Sequence, residues 1–426
     1  MKISNPIKFL FLGLLIILSI IAGNALQQIE TGIYLLILGI ICVWIVASLL
    51  FETSVLTTVL LIAVYSLKPH PAILYTCLIL LVFSLMIELT RKRFASFTIP
   101  YPILLLLLLI TGIQSIVRAK VFADGFQYFT TTILVPVITL LTIGNAEYKN
   151  NQLELWTKFI VTVGIILSLI GIVMAILNPG LRLGSLWITA MTINGFYILA
   201  FFLTIGLMLK TDDQTKKNLL ILGAICIFLG MLYTYTRITL LAVAFGFIVL
   251  MLKIKNLRKI LFLFILLTPL VIPSSMIQRL QLGFKSDLSL IIRFIAWYNA
   301  FKLIVKNFWL GIGFNTWEHI YSSLIPYQIL YAKHPHNTYL RIMVETGVFG
   351  FLAYFGLVIS IMVKFFKNCI SQTGDRFNYA VFTAVLAVLF ACLTDVFIQQ
   401  VGVSLPFWIT LALMYQQSVK EHAKLN

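Results

Sequence analysis

Long apolar runs separated by short polar connections recur along almost the whole chain. They fall at 7–22, 32–50, 54–67, 71–89, 101–117, 126–144, 154–176, 190–209, 218–234, 237–253, 257–273, 338–363, 378–397 and 402–418. Most are long enough to cross about 30 Å of hydrocarbon as a helix. The segments around 51–67 and 400–418 are short or loosely bounded, so about 12–14 transmembrane helices are expected. One large interruption covers 274–336. It contains SLIIRFIAWYNAFKLIVKN at 289–307, where apolar residues recur with Arg293, Lys302 and Lys306 between them. That pattern predicts a helix lying along a membrane surface, apolar side down. GIGFNTW at 311–317 then predicts a Gly-rich turn. The chain divides into an N-terminal helix bundle at 1–273, a large loop with an amphipathic helix at 274–336, and C-terminal membrane helices at 337–426. No internal repeat, low-complexity linker or soluble domain interrupts this pattern.

Composition fixes the class. The chain is 61% hydrophobic and 11% charged, with a mean hydropathy of +1.04. A soluble domain is nearer half apolar and a quarter charged. An all-α polytopic membrane protein is expected, in contact with lipid bilayer and not with nucleic acid. The cations then orient it. With the N-terminus cytoplasmic, the inner loops hold Lys2, Lys8, Arg91, Lys92, Arg93, Lys149, Lys210, Lys216, Lys217, Lys253, Lys255, Arg258, Lys259, Lys364, Lys367, Arg376, Lys420 and Lys424. The short outer loops hold only Lys68, Arg118, Lys120, Arg182 and Arg237. This bias puts both termini inside and 274–336 outside. Most of the net charge of +17 is therefore a topological signal. The remainder, on the outer loop, would attract a phosphate-bearing ligand. None of the five cysteines falls on the outer face, so no disulfide framework is implied. The first apolar run could pass for a signal peptide, although an uncleaved first helix suits a chain with so many spans.

Four basic groups recur at span ends on the expected outer face: Arg182 in NPGLRLGSLW, Arg237 in YTYTRITL, Arg293 in the amphipathic segment, and His336 in HPHN. Each has a plain reading. Arg237 could snorkel to the interface, Arg182 could be an ordinary loop residue, and Arg293 could anchor its helix to lipid headgroups. Converging beside a histidine, they suit phosphate instead, because a guanidinium fork stays charged and matches phosphate oxygens. Pro335 suits the first turn of a helix, which puts His336 at the membrane–water boundary. There a neutral imidazole could take a proton from a sugar hydroxyl, or it could simply cap the helix with Asn337. His334 and His336, with His319, could bind a metal, but no carboxylate or cysteine is spaced to complete the shell. No metal or cofactor is therefore expected. Glu345 lies nine residues beyond His336, half a turn out of phase, and four beyond Arg341 on the same face. Arg341 and Glu345 read as a structural pair, and Gly347 and Gly350 as permitting close helix packing.

HNTYLRIMVETGVFGF resembles the O-antigen ligase family on His336, Asn337, Tyr339, Leu340, Glu345, Gly347 and Gly350. Upstream, Arg293, Trp297, Gly311 and Gly313 resemble the family's Arg-x-x-x-Trp and Gly-x-Gly segment. YTYTR resembles its arginine-bearing helix start at Arg237, with Tyr and Thr where small residues are usual. LRLGSLWITAMTINGF resembles an earlier segment on Arg182, Gly184 and Asn194. The resemblance implies a metal-independent glycosyltransferase of the bacterial cytoplasmic membrane, acting on the outer face. Its donor would be a polyprenyl-diphosphate-linked glycan and its acceptor a glycan or glycolipid. His336 would be the base, Arg237 and Arg293 the diphosphate clamp, and Arg182 a helper. Ligase and repeat-unit polymerase both fit these residues. A secondary transporter or flippase fits less well, since such proteins show repeats and midplane polar groups.

Overall fold

A computed structural model describes residues 37–42, 44–45, 71–90, 97–146, 152–178, 189–254 and 288–425. The expected spans at 7–22, 54–67 and 257–273, most of 32–50, and Arg182 and Gly184 lie outside these residues. Regular structure among the described residues is helical, with no strand. The helices are α1 (Pro71–Thr90), α2 (Pro102–Val117), α3 (Phe122–Thr142), α4 (Gln152–Leu177), α5 (Thr192–Lys210), α6 (Gln214–Tyr233), α7 (Arg237–Lys253), α8 (Leu288–Lys306), α9 (Thr316–Ile320), α10 (Thr338–Phe365), α11 (Arg376–Ala391) and α12 (Val401–Leu425). Among the described residues, six helical stretches are long and apolar enough to cross a membrane. The chain is an all-α polytopic membrane protein.

Helix α5 forms the centre: its side chains from Ile193 to Leu207 are all buried. The contacts at its two termini define the two ends of the bundle. At one end Lys210 pairs with Glu154 of α4 at 2.5 Å and lies over the Phe377 ring of α11. Lys253 closes α7 at that same end, donating to the Ile370 carbonyl at 2.9 Å. At the other end Asn194 donates to Thr234 at 2.9 Å, just before α7 begins at Arg237. Helices α7 and α11 run antiparallel, with Phe245 stacked on Phe390 at 4.5 Å. Arg237, eight residues earlier, lies about 12 Å further along, at the end where α11 gives way to the turn 392–400.

That turn corrects one expected span. The apolar run 378–397 is not helical throughout: α11 ends at Ala391, and Asp395 stands in the non-helical connection to α12. The span 338–363 is interrupted as well. Gly347 has φ 71 and ψ −174, a break inside α10. The segment Thr338–Thr346 folds back, so that Tyr339 stacks on Phe355 with ring centroids 4.7 Å apart. A straight helix would separate those sixteen positions by about 24 Å.

Residues 308–314 fill the break. Ile312 and Gly313 donate their N–H groups to the carbonyls of Val344 and Glu345 at 2.8 and 3.0 Å. Val348 N–H donates to the Phe308 carbonyl at 2.9 Å. On the far side, Phe314 N–H donates to Ser115 O of α2 at 3.0 Å and Gln114 donates to Leu310 O at 2.9 Å. Backbone groups freed by the break are thus re-satisfied, as burial requires. The helix expected along the surface is α8. Its Ala296 and Ala300 are buried in a cluster with Ile312, Trp317, Tyr321 and Val344, while Phe294, Tyr298, Phe301 and Val305 face outward.

Gly347 therefore does more than permit close packing. Its positive φ disfavours any side chain, and a Cβ there would collide with the Trp309 carbonyl. Gly374 has a similar φ of +68 with nothing within 4 Å of a Cβ. Gly374→Ala is expected to cost only the backbone penalty, about 1–2 kcal/mol, whereas Gly347→Ala should lower thermal stability in detergent considerably more. Equal losses would mean that the break does not depend on the close approach of residues 308–310.

Candidate active site

The polar residues of HPHNTY gather on the turn after α11. Thr338 N–H donates to Cys392 O at 2.9 Å, and Thr338 Oγ1 to Asp395 O at 2.9 Å. Asn337 Nδ2 reaches Leu393 O at 2.8 Å, and the Tyr339 hydroxyl reaches Leu389 O at 2.8 Å. Asn337 is also the N-cap of α10, its side chain accepting from Leu340 N–H at 3.0 Å. The helix thus begins at Thr338 rather than in the turn of Pro335, because asparagine satisfies an orphan donor of the first turn. His336 precedes the cap with φ 49, a left-handed conformation uncommon for a residue with a side chain.

In that conformation His336 Nδ1 lies 3.6 Å from Asp395 Oδ1, an ion-pair distance longer than a formed hydrogen bond. The histidine side chain is 24% exposed and the carboxylate 7%. Asp395 Oδ1 also accepts the Val396 N–H at 2.7 Å. His336 Nδ1 and Asp395 Oδ2 are buried without a hydrogen-bond partner. The His334 ring stands 4.3 Å from that of His336, and His334 Nδ1 accepts the His336 backbone N–H at 3.3 Å. Arg293 of α8 joins the same turn, its Nε donating to Thr394 O at 3.3 Å and its Nη1 to Ser289 O at 3.2 Å and Ser289 Oγ at 2.5 Å.

Electrostatics follow the geometry. Burial alone would raise Asp395, but the imidazoles of His336 and His334 and the Val396 N–H outweigh it and hold the carboxyl at about 2. Burial pushes His334 down to about 3; Asp395 opposes this, while His336, Arg341 and Arg293 add to it. The sign of the pH dependence follows. Between its ordinary value of 6.5 and about 3, His334 takes a proton in the unfolded chain that it refuses in the fold. The stability present above 6.5 is therefore lost as pH falls toward 3, and Asp395 adds a loss in the same direction between 3.8 and about 2. Melting temperature in lipid nanodiscs should fall across this window, and His334→Asn should flatten the upper part of the slope. An unchanged slope in that variant would contradict the assignment.

Asp395 was not among the sequence candidates. Hydropathy carried the span 378–397 across it, although a carboxylate inside an apparent membrane span is a functional signal by default. It also supplies the carboxylate that local spacing around the histidines lacked. Arg237 begins α7 at the same end of the bundle. Arg341 and Glu345 form a separate cluster: Arg341 Nε donates to Glu345 Oε1 at 3.0 Å, and its guanidinium lies 4.0 Å from the Tyr128 ring centroid. Asn315 joins them, accepting from Arg341 Nη2 at 3.5 Å and donating its N–H to Glu345 Oε1 at 3.3 Å. A third contact, His319 to Asp124 at 3.5 Å, joins α9 to α3.

Comparison with known proteins bears on the His336 arrangement. Residues 222–355 match the family model described as O-Antigen ligase. The O-antigen ligase match runs from within α6 to beyond Gly350, so it includes Arg237, Arg293 and His336 and stops short of Asp395. It supports a membrane glycosyltransferase-like role. No curated protein matches the chain.

Proposed function

We propose that the protein transfers a polyprenyl-diphosphate-linked glycan to an acceptor hydroxyl at the outer face of the bacterial cytoplasmic membrane, in the manner of an O-antigen ligase. The single observation that carries this reading is the His336–Asp395 contact at 3.6 Å. With Asp395 facing Nδ1–H, the proton of neutral His336 sits on Nδ1 and the lone pair on Nε2. Nε2 takes the acceptor's hydroxyl proton as its oxygen attacks the anomeric carbon. The bond from that carbon to the diphosphate oxygen breaks, and its electron pair leaves with the polyprenyl diphosphate. The carboxylate then stabilises the imidazolium. The departing diphosphate needs positive charge, not a proton. Arg293 commits Nε and Nη1 to Thr394 and Ser289, so its Nη2 would meet the phosphate, with Arg237 opposite and Arg182 as a helper. The charge bias supports the orientation: Lys210, Lys253 and Lys364 take part in contacts at the end away from His336.

The test is release of polyprenyl diphosphate by purified protein given donor and acceptor, with the glycan recovered on the acceptor. Movement of the donor across a proteoliposome without bond formation would make the protein a transporter. A repeat-unit polymerase uses the same constellation. Deleting the gene separates the two: loss of chains longer than one repeat identifies a polymerase, and long chains stranded on the carrier identify a ligase. Arg293→Ala is expected to weaken donor use by about 10–100-fold, from loss of a charge-assisted contact of about 1.5–3 kcal/mol. Arg293→Lys should rescue poorly, because an ammonium cannot bond the 394 carbonyl and phosphate in one plane. Full rescue by lysine would reduce Arg293 to a point charge.

A further inference from the structure

The triangle of His334, His336 and Asp395 has a second chemistry. A nitrogen of each histidine and a carboxylate oxygen lie within 4.8 Å of one another. The pair whose distance is fixed, His336 Nδ1 and Asp395 Oδ1, is 3.6 Å apart. Two ligands on a tetrahedral zinc, each about 2.0–2.2 Å from the metal, stand about 3.4 Å apart. Little contraction is therefore needed along that edge. Two of the atoms concerned are buried and unpartnered, His336 Nδ1 and Asp395 Oδ2, a condition that favours any electrophile able to satisfy both. Two imidazoles and one carboxylate are a donor set for borderline d-block cations rather than for magnesium or calcium, which take oxygen shells. The ligands are also braced. His334 Nδ1 is engaged by the His336 backbone N–H, which leaves Nε2 for a metal, and the Asp395 backbone is tied to Thr338.

We propose that His334, His336 and Asp395 form an inhibitory binding site for a d-block divalent cation, zinc foremost. Inhibition follows from the tautomer and rests on His336 being the base of the transfer reaction. A metal on Nδ1 takes the lone pair of the other neutral tautomer, in which the single ring proton sits on Nε2 instead of Nδ1. Nε2 is then a donor and can take no proton from an acceptor. The metal also occupies the Asp395 carboxylate that would stabilise an imidazolium. On this reading zinc is an off switch at the entrance of the reaction.

The experiment uses the full-length, metal-free protein in nanodiscs, titrated with Co2+ as a spectroscopic probe and then with Zn2+. One equivalent of Co2+ is expected to give the visible bands of a low-symmetry, four- or five-coordinate site, and Zn2+ should erase them. Asp395→Asn and His334→Asn should each weaken binding more than about tenfold, beyond the smallest loss that an outer-shell partner brings. His319→Gln, which alters the other histidine–carboxylate contact, should change nothing. Absence of a stoichiometric site, or a site indifferent to both substitutions, overturns the proposal. Transfer should fall over the same Zn2+ range in which Co2+ is displaced and recover with a chelator, while Mg2+ has no effect. Zinc bound at this site without inhibition overturns the switch. A failure of the base reading looks different: Co2+ binding would persist in the wild type, while His336→Asn would still transfer glycan.

Discussion

Replacing His336 is expected to lower the proposed transfer by about 10²–10⁴-fold, the range a positioned general base contributes, with the protein still folded. The choice of variant matters. His336 has φ 49, and alanine in the left-handed region costs about 1–2 kcal/mol. His336→Ala could thus lose activity through its backbone alone. Asparagine visits that conformation readily and bonds locally, so His336→Asn is the cleaner test. It should purify as wild type does, bind donor, and fail to release polyprenyl diphosphate. Asp395→Asn should lose less, because it orients the imidazole without exchanging a proton with substrate. The loss in Asp395→Asn should fall on turnover with donor affinity kept, a split that no merely structural defect would produce. Robust transfer by His336→Asn would remove the mechanism.

The physical source of each feature decides how much of it was legible in the sequence. Apolar run length and loop cations describe a membrane helix well, since one helix satisfies its own backbone whatever its neighbours do. The described spans accordingly appear near their expected positions. Run length says nothing of where a helix breaks. Gly347 sits in an apolar stretch that continues on both sides, and the break is stabilised by residues 308–313, some 35 positions earlier. Asp395 was hidden for the opposite reason. Its neighbours are apolar enough to extend a hydropathy window across it, yet α11 stops at Ala391. The partnership of Asp395 with His336 spans 59 positions and is made by tertiary hydrogen bonds from Asn337, Thr338 and Arg293 to one turn. Short motifs named the histidine and the arginine; only the fold supplied the carboxylate between them.

The Arg341–Glu345 pair carries the other large effect, on stability and not on rate. The two side chains are 2% and 0% exposed, and Glu345 Oε1 also receives the Asn315 N–H of the loop that fills the α10 break. Glu345→Ala leaves a buried guanidinium whose remaining favourable contacts are the Tyr128 ring and the Asn315 side-chain oxygen Oδ1. Breaking one side of such a pair costs about 3–5 kcal/mol, and thermal unfolding in nanodiscs should register it directly. The double replacement Arg341→Leu with Glu345→Leu removes both charges together and should cost much less than the two single losses combined. A base at Glu345 would give the reverse pattern: Glu345→Gln, nearly isosteric, would keep its stability and lose transfer. A brace predicts a destabilised Glu345→Gln protein whose folded fraction still transfers at close to the wild-type rate. Measuring turnover per folded molecule, below the melting temperature of the variant, separates the two. Near-normal turnover keeps Glu345 out of the chemistry and makes the charged pair the clamp that holds residues 308–315 in the broken helix, on which the position of His336 depends.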